Sequence, residues 1–232
     1  KTMEKQKICI IGGSLTGLVT AICLSKLNLN IDLIVGKSNK NVKSNRTIAI
    51  SENSLNFLNK LNISKSLKKE IWPCSAMKLY AEVKKEDFLE LFELKKDKKI
   101  LHMMKSKKII ELMFNKIKKI KSISIKNNEK VYDISNTGLL KTVKLKKKIN
   151  KYNLVIICTG NNSSLVKNIF ENGVIENSYK ESAITTILKH DSVKNQTARQ
   201  IFLNEEILAL LPISNIKTSI VLLNIYLCQK IK

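Results

Sequence analysis

An α/β fold is predicted by three features of the opening residues: the uncharged run Ile8-Cys9-Ile10-Ile11, the glycine turn Gly12-Gly13-Ser14-Leu15-Thr16-Gly17 behind it, and an apolar stretch to Leu27 followed by a second run from Ile31 to Val35. In order these read as a strand covered on both faces, a tight turn, an amphipathic helix and a second parallel strand. A βαβ unit with this glycine pattern is the opening of a dinucleotide-binding fold. Gly12 permits the turn, and Gly17 lets the helix sit close to the strand. The first N–H groups of that helix have no partner inside it and, with the helix dipole, are suited to hold a pyrophosphate. Gly12, Gly13, Ser14, Leu15, Thr16 and Gly17 are therefore the first candidate cofactor-binding residues.

Two positions depart from the G-x-G-x-x-G pattern. The second glycine, where backbone and phosphate approach most closely, is Ser14, so a ligand must tolerate a Cβ and a hydroxyl. The acidic residue that takes the ribose hydroxyls at the end of the second strand is replaced by Gly36. A merely structural βαβ turn is the alternative reading of the same letters.

A chain of 232 residues with 44% hydrophobic content can bury a sizeable core as one large domain or two small ones. No apolar run approaches the length of a membrane span, and the first apolar run is the strand itself, so neither a spanning helix nor a signal peptide is expected. The five cysteines are scattered without a C-x-x-C pair, which indicates neither zinc nor a disulfide framework and implies a reducing compartment. Cys9, Cys23 and Cys158 lie in apolar runs and read as small core residues.

The formal charge is +23, yet of 42 basic residues only Arg46 and Arg199 are arginine. Nucleic-acid surfaces exploit the planar fork of arginine and interleave aromatic platforms, and both are missing here. Lysine spread with Asn and Ile along the whole chain has the look of compositional bias; attraction to anionic lipid headgroups is the other reading. Where a point charge suffices this chain writes lysine, so Arg46 is expected to do something lysine cannot.

After a polar loop from Gly36 to Asn45 come Arg46-Thr47-Ile48-Ala49-Ile50 and a helix from Ser51 to Leu61, capped by Ser51 or Asn53. Ile71-Trp72-Pro73 is expected to close this helical region. Met77 to Val83 and Phe88 to Leu94 alternate as strands with one wet face, and an amphipathic helix follows from about Lys105 to Lys119. Three short strands are predicted at Ser122–Ile125, Val131–Ser135 and Leu139–Leu145, then a buried parallel strand from Tyr152 to Cys158 that runs into Thr159-Gly160-Asn161-Asn162-Ser163-Ser164 and a helix to Phe170. The last third predicts strands at Ser182–His190, Thr197–Phe202 and Ile207–Ile213. His102 and His190 read as structural residues, and Arg199 should point to the face opposite Gln200.

Taken together, Gly-Gly-x-x-x-Gly-Leu after a strand and Arg46-Thr47-Ile48-Ala49-Ile50 before a helix resemble the FAD-dependent aromatic hydroxylases, most closely the ubiquinone-biosynthesis hydroxylases, whose pattern is D-x-R-T-x-A-L. Gly160 and Ser163 match that family's second flavin motif, A-D-G-x-x-S, although its aspartate is Thr159 here. Gln200, Phe202 and Leu208 to Pro212 match its substrate-domain phrases. The resemblance runs from about Lys7 to Tyr226, and stops before a third, Gly-Asp-type flavin motif, so the chain is read as a fragment of a longer product or a decayed relative.

The resemblance implies an FAD/NAD(P)-binding Rossmann-like domain (residues 1–75 and 101–178) with an interleaved β-rich substrate domain (76–100 and 179–232). It implies a monooxygenase in which FAD, reduced by NADH or NADPH, uses oxygen to hydroxylate the ring of a polyprenylated phenol on the way to ubiquinone. Arg46 would lie beside the flavin, Gly160 at the second turn, and the substrate against Leu208 to Pro212; no catalytic residue is assigned. Such a protein would work in the cytoplasm, with peripheral attachment to the inner membrane and membership of a biosynthetic complex as further expectations. A non-catalytic scaffold that keeps the fold and binds flavin weakly or not at all is the second reading, favoured by Ser14, Gly36 and Thr159.

Overall fold

The β-branched runs at the start of the chain form the parallel pair they predict: β1 (Lys7–Ile11) lies alongside β2 (Asn30–Val35), joined by α1 (Leu15–Leu24). The structure, a computed structural model, describes residues 5–37, 46–63, 67–85, 87–95, 99–160, 164–169, 175, 177 and 181–224. The elements continue with β3 (Thr47–Ser51), α2 (Glu52–Lys60), β4 (Trp72–Cys74), β5 (Ala76–Lys84), β6 (Asp87–Lys95), β7 (Leu101–Lys105), α3 (Ser106–Ile117) and β8 (Ile123–Asn127). They end with β9 (Val131–Thr137), β10 (Leu140–Leu145), β11 (Ile149–Tyr152), β12 (Leu154–Ile157), α4 (Ser164–Ile169), β13 (Ser182–Lys189), β14 (Thr197–Phe202), β15 (Glu206–Ser214) and β16 (Lys217–Asn224). Two compact units result, one of residues 1–43 and 110–176, the other of 44–109 and 177–232. Residues 44–75 and 101–109, grouped by the sequence resemblance with the cofactor-binding part, thus pack with the second unit.

The first unit is a four-stranded parallel sheet in the order β12-β1-β2-β8, with a three-stranded antiparallel sheet, β11-β10-β9. On one face of the parallel sheet Cys9, Ile11 and Ile34 join Val131, Val143, Leu145, Tyr152 and Leu165 in a buried cluster. Ile8, Ile10, Ile31 and Leu33 alternate with them and are buried as well, as strands covered on both sides require. Helix α1 packs on β1 and β2 and buries Gly17, Leu18, Ala21 and Ile22. Within the cluster the Tyr152 hydroxyl donates to Asp32 Oδ2 at 2.9 Å, and Lys7 Nζ reaches the same oxygen at 3.3 Å. A buried carboxylate needs such partners, and these tie the antiparallel sheet to β2. The two-residue turn between β9 and β10 places Gly138 at φ +60, which suits a tight hairpin with glycine first.

One predicted strand differs in detail. Tyr152–Cys158 is not one strand: Tyr152 ends β11, Asn153 breaks the run by accepting the Lys7 N–H at 2.8 Å, and of the two pieces only β12 pairs with β1. The three short strands of the sequence reading form as β8, β9 and β10, of which β8 joins the parallel sheet.

The second unit holds a three-stranded sheet, β3-β7-β4, and a six-stranded sheet, β13-β16-β15-β14-β5-β6, in which only β14 and β5 run parallel. The Ser51 Oγ accepts the Ser54 N–H at 3.2 Å and caps α2, as its sequence position predicts. The helical region ends before Ile71, as the sequence predicts, and the chain goes straight on into the edge strand β4, where the missing N–H of Pro73 interrupts no ladder on its outer side. His102 is buried, with Nε2 2.8 Å from Glu52 Oε2, a structural pairing across 50 residues. Arg199 is exposed while Gln200 is half-buried, the alternation that the sequence predicts. Cys9 and Cys74 are buried and form no disulfide, and burial pushes their thiols up to about 12 and about 11, which leaves them protonated and unreactive. Among the described residues no helix is long and apolar enough to cross a membrane, and no His, Cys, Asp and Glu side chains gather where they could hold a metal ion.

Candidate functional site

At the carboxyl ends of the parallel strands the chain is woven so tightly that glycine is dictated by sterics. The Gly12 N–H donates to the Ile34 carbonyl at 2.9 Å and the Cys158 N–H to the Ile11 carbonyl at 2.7 Å, which locks β1 between its neighbours just before the turn. Gly12 adopts φ +126, and a Cβ there would lie 2.3 Å from the Cys158 carbonyl oxygen. A Cβ on Gly17 would lie 2.0 Å from the Gly12 carbonyl oxygen, and one on Gly13 would lie 2.7 Å from Val35 Cγ1. The first and third glycines of the fingerprint therefore serve the strand-to-helix crossover itself.

Ser14 stands at the N-cap of α1, yet its side chain does not cap the helix. Its hydroxyl donates to the Cys158 carbonyl at 3.2 Å, turned away from the first peptide N–H groups. The first intrahelical bond runs from Leu18 N–H to the Ser14 carbonyl, so the amides of Leu15, Thr16 and Gly17 precede any helical partner. An N-terminus left without a side-chain cap is what an anionic ligand needs.

Beside this turn lies an open cavity of about 460 Å³, floored by Ile11, Gly12 and Ile34 and walled by Val131, Leu165, Tyr132 and Thr159. Gly36, Asn128 and Ser164 complete it, with Lys37, Glu129, Lys130 and Lys146 as the only charges among its described lining residues. Its size falls within the ~300–1,000 Å³ of ordinary small-molecule pockets, and no bulky side chain fills it. Its location, outside the carboxyl ends of parallel strands, is where open α/β sheets take nucleotides. An adenine ring suits the apolar walls, a ribose the polar rim at Gly36 and Glu129, and a pyrophosphate the α1 amides; the residues present fit the nucleotide half of FAD.

Of the sequence-predicted residues, Gly12 lines the cavity, and Gly13 to Gly17 form the turn and first helical residues that follow it in the chain. Gly160 follows Thr159 at φ +78 with open space around it, and Ser163 lies outside the described residues. Arg46 stands in the second unit, exposed immediately before β3, where its carbonyl accepts the Ser106 N–H at 2.9 Å. The contributions of Lys37, Glu129, Lys130 and Lys146 are absent from the sequence reading. Glu129 and Lys130 reach the cavity beside Lys37 because β8 pairs with β2 across some ninety positions of chain, a non-local event that no local pattern announces.

No protein-family model and no curated protein sequence matches the chain. Its architecture is shared with solved structures of FAD-dependent monooxygenases. Pseudomonas aeruginosa PqsL, described as a probable FAD-dependent monooxygenase, superposes with a TM-score of 0.78 at 10% identity over 95% of this chain and 61% of its own. The p-nitrophenol 4-monooxygenase PnpA from Pseudomonas putida does so with a TM-score of 0.75 at 14% identity, over 95% of this chain and 57% of its own. CtdE, solved in complex with FAD, gives 0.71 at 12% identity, over 95% and 59%. The chain is thus an α/β protein with the FAD-dependent monooxygenase fold. It spans about three-fifths of the length of these structures.

Proposed function

We propose that the chain binds FAD at the first crossover and works as an FAD-dependent monooxygenase, with NADH or NADPH as reductant, on the aromatic ring of a polyprenylated phenol in ubiquinone biosynthesis. The observation that carries the nucleotide part is the open cavity lined by Gly12 at the first crossover, next to an α1 N-terminus that the Ser14 side chain leaves uncapped. When bound, FAD supplies the oxygen chemistry. The chain's own task is then to bind and orient: α1 amides for the pyrophosphate, Arg46 for the flavin side, and the apolar segment Leu208 to Pro212 of β15 for the substrate ring. The ubiquinone assignment rests on the resemblance of Arg46-Thr47-Ile48-Ala49-Ile50 and Leu208 to Pro212 to those hydroxylases. A lipid-tailed substrate gives the lysine-rich surface a use at an anionic membrane, with the protein held peripherally on the inner membrane, and a biosynthetic complex would be its setting.

The second reading, a non-catalytic scaffold, is favoured by the missing carboxylates at Gly36 and Thr159. The visible spectrum of the purified protein separates the two: bound flavin absorbance that is bleached by NADH or NADPH supports the enzyme, and a protein that stays colourless with added FAD supports the scaffold. Arg46→Lys is expected to weaken flavin retention by about tenfold, the loss of a charge-assisted contact. Lys107→Ala, an exposed change next to the Ser106 whose N–H bonds the Arg46 carbonyl, should leave retention as it was. Equal retention in both variants removes Arg46 from the site.

A further inference from the structure

We propose that Glu129 supplies the carboxylate that holds the ribose hydroxyls of the bound nucleotide, replacing the acidic residue absent at Gly36; the inference rests on the nucleotide reading of the cavity. Strand β2 ends at Val35 and pairs there with Asn127 at the end of β8. The next residue, Asn128, turns the chain with φ +59, and the Glu129 N–H then donates to the Val35 carbonyl at 3.2 Å. This anchors Glu129 beside Gly36: a Cβ placed on Gly36 would have the Glu129 carbonyl oxygen, at 3.9 Å, as its nearest neighbour. Glu129 is half-buried and lines the same cavity as Gly12 and Gly36.

The chemistry of the position favours this residue over its neighbours. A vicinal diol offers two O–H donors, and a carboxylate accepts both where a lysine can accept neither. Glu129 is the sole carboxylate among the cavity's described lining residues. Lys37, Lys130 and Lys146 line it too, but each is exposed, in a chain where basic residues number 42 and acidic ones 19. An acidic residue anchored at the end of β2 is therefore the more informative feature. The loss at Gly36 and the gain at Glu129 are two halves of one rearrangement, in which the carboxylate has moved to the adjoining strand turn.

Isothermal titration of the full chain with ADP, 2′-deoxy-ADP and adenosine 2′,5′-bisphosphate tests it. The expected result is about tenfold tighter binding of ADP than of 2′-deoxy-ADP, in keeping with a hydrogen bond to a charged group. Glu129→Gln should bind ADP about tenfold more weakly and lose the preference, and adding Gly36→Asp to Glu129→Gln should restore it, since Gly36 has room for a side chain. An unchanged preference in Glu129→Gln overturns the assignment while leaving the nucleotide site standing. So does tighter binding of the 2′,5′-bisphosphate than of ADP, which would mean that the lysines read a phosphate there. A wild-type chain that binds none of the three overturns the nucleotide reading and this inference with it.

Discussion

Gly17→Ala is expected to be among the most damaging single-methyl additions to the first unit, destabilising it by about 4 kcal/mol or more. The added Cβ would fall 2.0 Å from the Gly12 carbonyl oxygen, and both are backbone-fixed. Relief requires α1 to move away from β1, which opens the buried contacts of Leu18, Ala21 and Ile22 and displaces the amides proposed to hold a pyrophosphate. Gly36→Ala provides the control, because its Cβ meets only one atom, at 3.9 Å. Gly160→Ala is intermediate: it has open space but φ +78, for which an L-residue costs about 1–2 kcal/mol. Urea-unfolding midpoints should therefore rise from Gly17→Ala through Gly160→Ala to Gly36→Ala. A Gly17→Ala protein as stable as Gly36→Ala would refute the close crossing of α1 over β1.

The second large effect is expected at Tyr152, which is 1% exposed. Tyr152→Ala should cost about 3–5 kcal/mol through the cavity it leaves between the parallel sheet and β9-β10-β11. Tyr152→Phe should cost about 1–3 kcal/mol, the worth of the hydroxyl's bond to the Asp32 carboxylate. Burial, reinforced by that bond, raises the Tyr152 phenol above its ordinary range, and burial pushes Cys9 up to about 12. The folded state therefore keeps both protons where the unfolded chain releases them, from about pH 9 for the thiol and about pH 10 for the phenol. Their contribution to stability is complete below pH 9 and declines as pH rises, by up to ~1.4 kcal/mol per pH unit for each group. Unfolding midpoints between pH 8 and 11 should fall less steeply in Tyr152→Phe than in the wild type. Parallel profiles would show that the phenol titrates alike in both states.

What the sequence discloses about this fold follows the range of the forces involved. Strand β1, helix α1 and strand β2 are legible because glycine sterics and apolar periodicity act within thirty residues. The β5–β6 hairpin and the Ser51 cap are legible for the same reason. Partners brought from afar are not: Glu52 for His102, Asp32 for Tyr152, and β8 for β2 each close gaps of 50 residues or more. Proline at position 73 marks where the helical region has ended, but only the sheet order shows that it lies in an edge strand that tolerates it. Residues 217–224 are not assigned from sequence, although as β16 they pair with both β15 and β13. At the candidate site the glycine turn is written locally, whereas the charged rim of Lys37, Glu129, Lys130 and Lys146 exists only once the sheet has formed.

The central claim is that a phosphate-bearing nucleotide sits on the first crossover, and backbone amide chemical shifts during titration of the ¹⁵N-labelled chain with FAD test it residue by residue. The account predicts saturable shifts centred on Gly13 to Gly17, with a second group at Gly36, Lys37 and Glu129. Shifts that leave Gly13 to Gly17 untouched as FAD is added would contradict it.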